Sequence, residues 1–134
     1  MLRVHQLMTK KIASATKDTS VVEAAKMMRE HGCGSIVVVD GNHPIGIFTE
    51  TDLLKRVVAE GLSPSETRIE HVMTKEAIVA MSSHTLSETS RRMSLAKIRR
   101  MPVVDNENKL VGVISKTDIR RYMKDLEKDL LDIT

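Results

Sequence analysis

The 134 residues leave room for one compact domain or for two small halves sharing a core. Lys and Arg number 21 against 18 Asp and Glu, a net charge of +3, with nine bases and eight acids up to residue 68 and twelve and ten beyond it. This even balance fits an ordinary soluble protein better than a nucleic-acid binder, and with only Phe48 and Tyr122 as aromatic rings there is no platform for stacking bases.

A short strand is expected at residues 12–15. Ser20-x-x-Glu23 then opens an amphipathic helix with Val21, Ala24, Ala25 and Met28 at helical spacing, and Gly32 stands where a helix C-terminus prefers glycine. Residues 36–39 form a continuous β-branched run, which predicts a strand covered on both faces. Gly41-Asn42-His43-Pro44 predicts a turn, residues 45–48 a returning strand, and residues 52–60 a helix with Leu53, Leu54, Val57 and Val58 on one side. Gly61-Leu62-Ser63-Pro64-Ser65 reads as a linker. A strand is expected at 77–80, a helix from Thr85-x-x-Glu88, strands at 103–104 and 110–114, and a last helix from about Ser115 to Leu131. Tyr122, Leu126, Leu130 and Leu131 give that last helix an apolar stripe.

The second half restates the first. Val4-His5-Gln6-Leu7-Met8-Thr9 returns 65 positions later as Ile69-Glu70-His71-Val72-Met73-Thr74, and Val38-Val39-Asp40 returns as Val103-Val104-Asp105. Gly46-Ile47-Phe48-Thr49-Glu50-Thr51-Asp52 returns one position later again, as Gly112-Val113-Ile114-Ser115-Lys116-Thr117-Asp118. The extra residue falls in the turn, where an insertion costs least. The chain therefore divides into a first repeat at 1–62, a linker at 63–68 and a second repeat at 69–134. Each repeat reads β-α-β-β-α, an α/β (α+β) class in which two copies pack as one body with a crevice for a ligand between them.

Thr49-x-x-Asp52 and Ser115-x-x-Asp118 each join a strand end to a helix start. One account is a helix capping box, although aspartate is a shorter reach than the usual glutamate. The other is a ligand site. Gly46 and Gly112 let the backbone approach something closely, the helix N-terminus suits phosphate, and the aspartate can accept from a ribose diol.

The Met-Thr openings, the Ser-Ile-Val-Val-Val-Asp and Met-Pro-Val-Val-Asp strands and the Gly-x-x-Thr/Ser-x-Thr-Asp endings together resemble a tandem pair of CBS domains, a Bateman module, over residues 4–123. The resemblance implies a non-enzymatic regulatory module with pseudo-twofold symmetry. It would need no cofactor, would bind AMP, ADP or ATP as regulatory ligand in clefts between the repeats, and would signal to an effector protein. It places Asp52 and Asp118 on ribose hydroxyls and Thr49 and Ser115 near ribose or phosphate. It also implies that backbone at Ile12-Ala13 and Ile78-Val79 borders the adenine, with Ile36, Met101 and Pro102 as walls. Arg99 and Arg100 match a phosphate-gripping pair in energy-sensing relatives, and paired guanidiniums suit phosphate oxygens. A solvated helix end is the competing account of the same basic segment. The first repeat has Gly34-Ser35 at the corresponding positions, so its cleft is weaker for charged phosphates or holds a less charged adenosine compound.

Related modules form homodimers, and the stripe on the final helix offers a surface for that. Two alternatives stand beside this function. One is an S-adenosylmethionine sensor. The other is a nucleic-acid-binding or scaffold module using residues 91–100 with Arg120 and Arg121, although a nucleic-acid partner is not the expected one. The five histidines and Cys33 show no metal-type spacing, one cysteine cannot form an internal disulfide, and no nucleophile, base and orienting group can be assembled. No early apolar run resembles a signal peptide and no stretch approaches the ~20 apolar residues of a membrane span, so the expected location is the cytoplasm.

Overall fold

The computed structural model describes residues 2–75 and 79–132, with the side chains of 130–132 outside that description. The side chains of Leu130 and Leu131 of the expected stripe, and residues 77 and 78 of the strand expected at 77–80, therefore lie outside that description. The chain forms two compact units, Lys11–Ala77 and Met1–Lys10 with Ile78–Thr134.

In the unit Lys11–Ala77, β1 (Ser14–Thr16) pairs parallel with β2 (Ser35–Asp40), which pairs antiparallel with β3 (His43–Thr49). Helix α1 (Val21–His31) makes the crossover. Ser20 caps it by accepting the Glu23 N–H, and Gly32 ends it in the left-handed conformation at φ 61°. Of the β-branched run at 36–39, Ile36, Val37 and Val38 are buried as predicted, while Val39 at its end is half-buried. Helix α2 starts at Glu50–Asp52 and widens into a π-helical turn over Leu53–Val58. Leu53 and Val57 pack inward, whereas Leu54 and Val58 are 61% and 60% exposed, so the expected four-residue apolar face is only half used.

The sheet is closed by β4 (Thr74–Lys75), which lies beside Gly46 and Ile47 of β3. Ahead of β4, Ile69, Val72 and Met73 enter the same core as Val21, Ile36 and Phe48. Residues 63–68 are held against α1, for Val21 N–H donates to Thr67 O at 2.8 Å and Val22 N–H to Pro64 O at 3.0 Å.

The other unit repeats this plan. Strand β5 (Ala80–Met81) runs parallel to β6 (Arg100–Val104), which is antiparallel to β7 (Leu110–Ser115); α3 (Leu86–Ala96) is the crossover and α4 (Lys116–Asp132) follows β7. Thr9 takes the place of β4, exchanging both backbone bonds with Val113 at 2.9 and 3.0 Å. Val4 is fully buried in the core of this unit with Met93, Met101, Val103 and Ile114. The opening segment of each sequence repeat thus completes the sheet and core built by the other repeat, and the compact units cut the sequence differently from the repeats.

Both hairpins carry a register shift at the same place, Val38/Val39 and Val103/Val104. The extra residue of the second copy lies in its turn. Gly41 and Asn42 link paired Asp40 and His43, while the longer second turn is tied by Asp105 Oδ1, which accepts the Glu107 and Lys109 N–H groups. The Lys109 N–H donor leads in holding the Asp105 carboxyl below its ordinary range.

Two departures from the repeat carry stability predictions. Lys97 ends α3 at φ 56°, in the left-handed position where Gly32 ends α1. A side chain there is strained, so Lys97→Gly should stabilise the protein by about 1 kcal/mol, read as a higher denaturation midpoint. Thr89 is fully buried on α3, its Oγ1 has no hydrogen-bond partner among the described residues, and Ala24 fills the corresponding place on α1. Thr89→Val keeps the shape and removes the unmet hydroxyl. It should raise stability by about 1 kcal/mol in urea unfolding, and a loss of stability would mean that the hydroxyl is satisfied.

Candidate ligand site

At the end of each hairpin a strand passes directly into a helix, and the hairpin register decides which residues meet there. In the unit Lys11–Ala77, Ser35 is the cross-strand partner of Thr49, and the Glu50 N–H donates to Gly34 O at 3.1 Å. In its counterpart Arg100 is the partner of Ser115, and the Lys116 N–H donates to Arg99 O at 2.9 Å. Partners in an antiparallel ladder share a face, so the fold brings Arg100, Ser115 and Asp118 to one place. Arg99 beside them is exposed. Gly34 and Ser35 hold the equivalent position at Thr49 and Asp52.

Both aspartates form the reciprocal capping box, and the shorter side chain does reach. Asp52 Oδ2 accepts from Thr49 N at 2.9 Å and Thr49 Oγ1 at 3.1 Å, while Thr49 Oγ1 accepts the Asp52 N–H at 3.2 Å. Asp118 Oδ2 accepts from Ser115 N at 3.2 Å and Ser115 Oγ at 2.8 Å, and Ser115 Oγ accepts the Asp118 N–H at 3.1 Å. A carboxylate has about four acceptor positions, so a cap on one oxygen leaves the other available. The second oxygen is where the two sites part.

Asp52 Oδ1 lies 3.4 Å from Thr74 Oγ1 and 3.6 Å from Arg56 Nε, and Asp52 is 6% exposed. Among the described residues no hydrogen bond or ion pair reaches Asp118 Oδ1, and Asp118 is half-buried. Thr74 and Arg56 were not singled out from the sequence. Arg56 stands four residues after Asp52, the spacing of a helical ion pair, and Thr74 belongs to the recurring Met-Thr opening; both signals were legible.

The glycines serve a different neighbour from the expected ligand. A Cβ on Gly46 would lie 2.5 Å from Met73 Sδ and 2.9 Å from Thr74 O, and one on Gly112 2.7 Å from Met8 Sδ and 2.9 Å from Thr9 O. The close approach is made by the Met-Thr segments. The residues expected as adenine walls are core residues: Ile36 and Met101 are fully buried, and Pro102 is buried within β6. Ala13 is buried too, and its carbonyl accepts the Val37 N–H at 3.0 Å. Ile78 lies outside the described residues. Val79 next to it gives its carbonyl to Arg92 Nη2 at 3.0 Å. Among the described residues no group of three His, Cys, Asp or Glu could hold a metal ion, and no helix is long and apolar enough to cross a membrane.

The family model for the CBS domain matches residues 4–59 and again 69–125. The chain belongs to the CBS-domain family. The two CBS matches are the two repeats, and the mixed α+β fold with two sheets is that of solved CBS pairs. The CBS domain-containing protein YhcV of Bacillus subtilis is 32% identical over 89% of this chain and 84% of its own length. An uncharacterised protein of Methanopyrus kandleri is 35% identical over 87% of this chain, which spans 60% of that longer relative. Among solved structures, the CBS domain pair of protein MJ0100, in complex with 5′-methylthioadenosine and S-adenosyl-L-methionine, matches with a TM-score of 0.82 at 29% identity. That match covers 90% of this chain and 98% of the other.

Proposed function

We propose that this CBS pair is a regulatory module that binds adenosine-containing small molecules, holds their ribose diol on the Ser115–Asp118 and Thr49–Asp52 strand–helix junctions, and signals occupancy to a partner protein. The observation that carries this is the open Oδ1 of Asp118 beside a guanidinium-bearing strand start. A ribose presents two adjacent hydroxyl donors, and a charged acceptor with unused lone pairs is their natural partner. The MJ0100 pair, similar over nearly its whole length, was crystallised with two adenosine compounds, which supports the adenosine part of the ligand.

The phosphate part rests on Arg99 and Arg100. They favour AMP, ADP or ATP at Asp118, whereas the Gly34-Ser35 junction suits a less charged compound such as S-adenosylmethionine or methylthioadenosine. We assign the module no reaction. Exposed Met123 and Leu126 on α4, at 56% and 40%, support a homodimer contact on that helix.

Isothermal titration of the purified protein with adenosine, methylthioadenosine, S-adenosylmethionine, AMP, ADP and ATP tests the function. Saturable binding of adenosine compounds, with guanosine counterparts inert, is the expected result. Heat from none of them would overturn it.

A further inference from the structure

The two ribose carboxylates are built unequally. Resting on the adenosine function above, we propose that Arg56 and Thr74 form a latch on Asp52, so that the Asp118 site fills first and the Asp52 site fills at higher ligand concentration.

Asp52 already has both oxygens engaged without ligand. Oδ2 is taken by its cap, and Oδ1 faces Thr74 Oγ1 at 3.4 Å and Arg56 Nε at 3.6 Å. Arg56 is itself held in place, for its Nη1 donates to Met73 O at 2.9 Å. It therefore spans from α2 to the backbone just before β4, and Thr74 at the start of β4 supplies the other donor to Oδ1.

The second repeat lacks this device. Tyr122 stands four residues after Asp118, where Arg56 stands after Asp52, and it packs against its unit's core. Thr9, the counterpart of Thr74, makes its backbone pair with Val113, and no hydrogen bond from it to Asp118 is present among the described residues.

A diol approaching Asp118 Oδ1 displaces water. One approaching Asp52 Oδ1 must exchange against a guanidinium and a hydroxyl, so only the difference between old and new donors is gained. The latch thus lowers affinity at one site without touching the other. Arg56 acts through Asp52 and is a positioning residue.

Titration calorimetry with the tightest-binding adenosine compound tests the latch on four proteins. The wild type should give two phases, of which Asp118→Ala removes the tighter. Arg56→Gln, which drops the charge and ends too short to reach the Met73 carbonyl, should tighten the weaker phase by about three- to tenfold. Thr74→Val, which leaves Arg56 in place, should tighten it by a smaller factor. Structural damage loosens a site, so tightening is a result that a merely structural role would not give. Two phases with the weaker one unchanged or weakened in both Arg56→Gln and Thr74→Val would overturn the latch while leaving the adenosine function standing. Absence of binding in the wild type would overturn both.

Discussion

Asp118→Ala should lower affinity for an adenosine compound roughly ten- to a hundredfold at the tighter site, the effect of losing a charged acceptor for hydroxyl donors, about 1.5–3 kcal/mol. The helix start should survive, because Ser115 Oγ still accepts the Asp118 N–H, and that half of the box does not need the carboxylate. What goes are the return bonds from Ser115 N and Ser115 Oγ, an end effect of about 1 kcal/mol. Affinity and stability therefore separate. Calorimetry should show a large loss of binding while thermal unfolding shifts by only a few degrees. A pure cap would give the reverse, with unchanged affinity and a lower unfolding temperature. Asp118→Asn sharpens the contrast, as it keeps the volume and one acceptor but loses the charge.

Gly112→Ala should destabilise the protein by about 1–3 kcal/mol, although alanine is normally the better residue inside a strand. The added Cβ would meet Thr9 O at 2.9 Å, a backbone atom that cannot retreat without disturbing the Thr9–Val113 pair. That pair docks the opening segment whose Val4 is fully buried beside Met93 and Met101. Faster hydrogen exchange at Thr9 and Val113 should accompany the loss. Gly46→Ala should act likewise through Met73 and Thr74. The experiment separates two uses of glycine. Had the bare backbone served ligand approach, as the motif alone implies, the substitution would weaken ligand affinity and leave unfolding unaltered.

Local chemistry made much of the fold legible. Ser20 and Thr85 cap their helices as the Ser/Thr-x-x-Glu spacing predicts, the β-branched run at 36–39 is buried but for Val39 at its end, and the extra residue sits in the second turn. Long-range pairing was not legible. That Met8-Thr9 lies on Gly112 and Met73-Thr74 on Gly46 depends on which strand edge each segment reaches, and the repeat pattern is silent on that. Lys97 was missed for a related reason, since a left-handed helix end is signalled by glycine and here the packing of buried Met93 and partly buried Ile98 overrides local preference. At the candidate site, the Thr/Ser-x-x-Asp pairs and the arginines at the start of β6 could be named in advance. The inequality of the two carboxylates could not, because it depends on Arg56 and Thr74 converging on one oxygen from segments far apart in the chain.

The most direct measurement pairs a ligand deletion with a residue deletion. Titration calorimetry would compare whichever of AMP, ADP or ATP binds tightest with its 2′-deoxy form, on the wild type and on Asp118→Ala. The account predicts that removing the hydroxyl costs the wild type about tenfold at the tighter site and costs Asp118→Ala almost nothing, because hydroxyl and carboxylate act as one contact. An equal penalty in both proteins, or no preference for the ribose form in either, would contradict it.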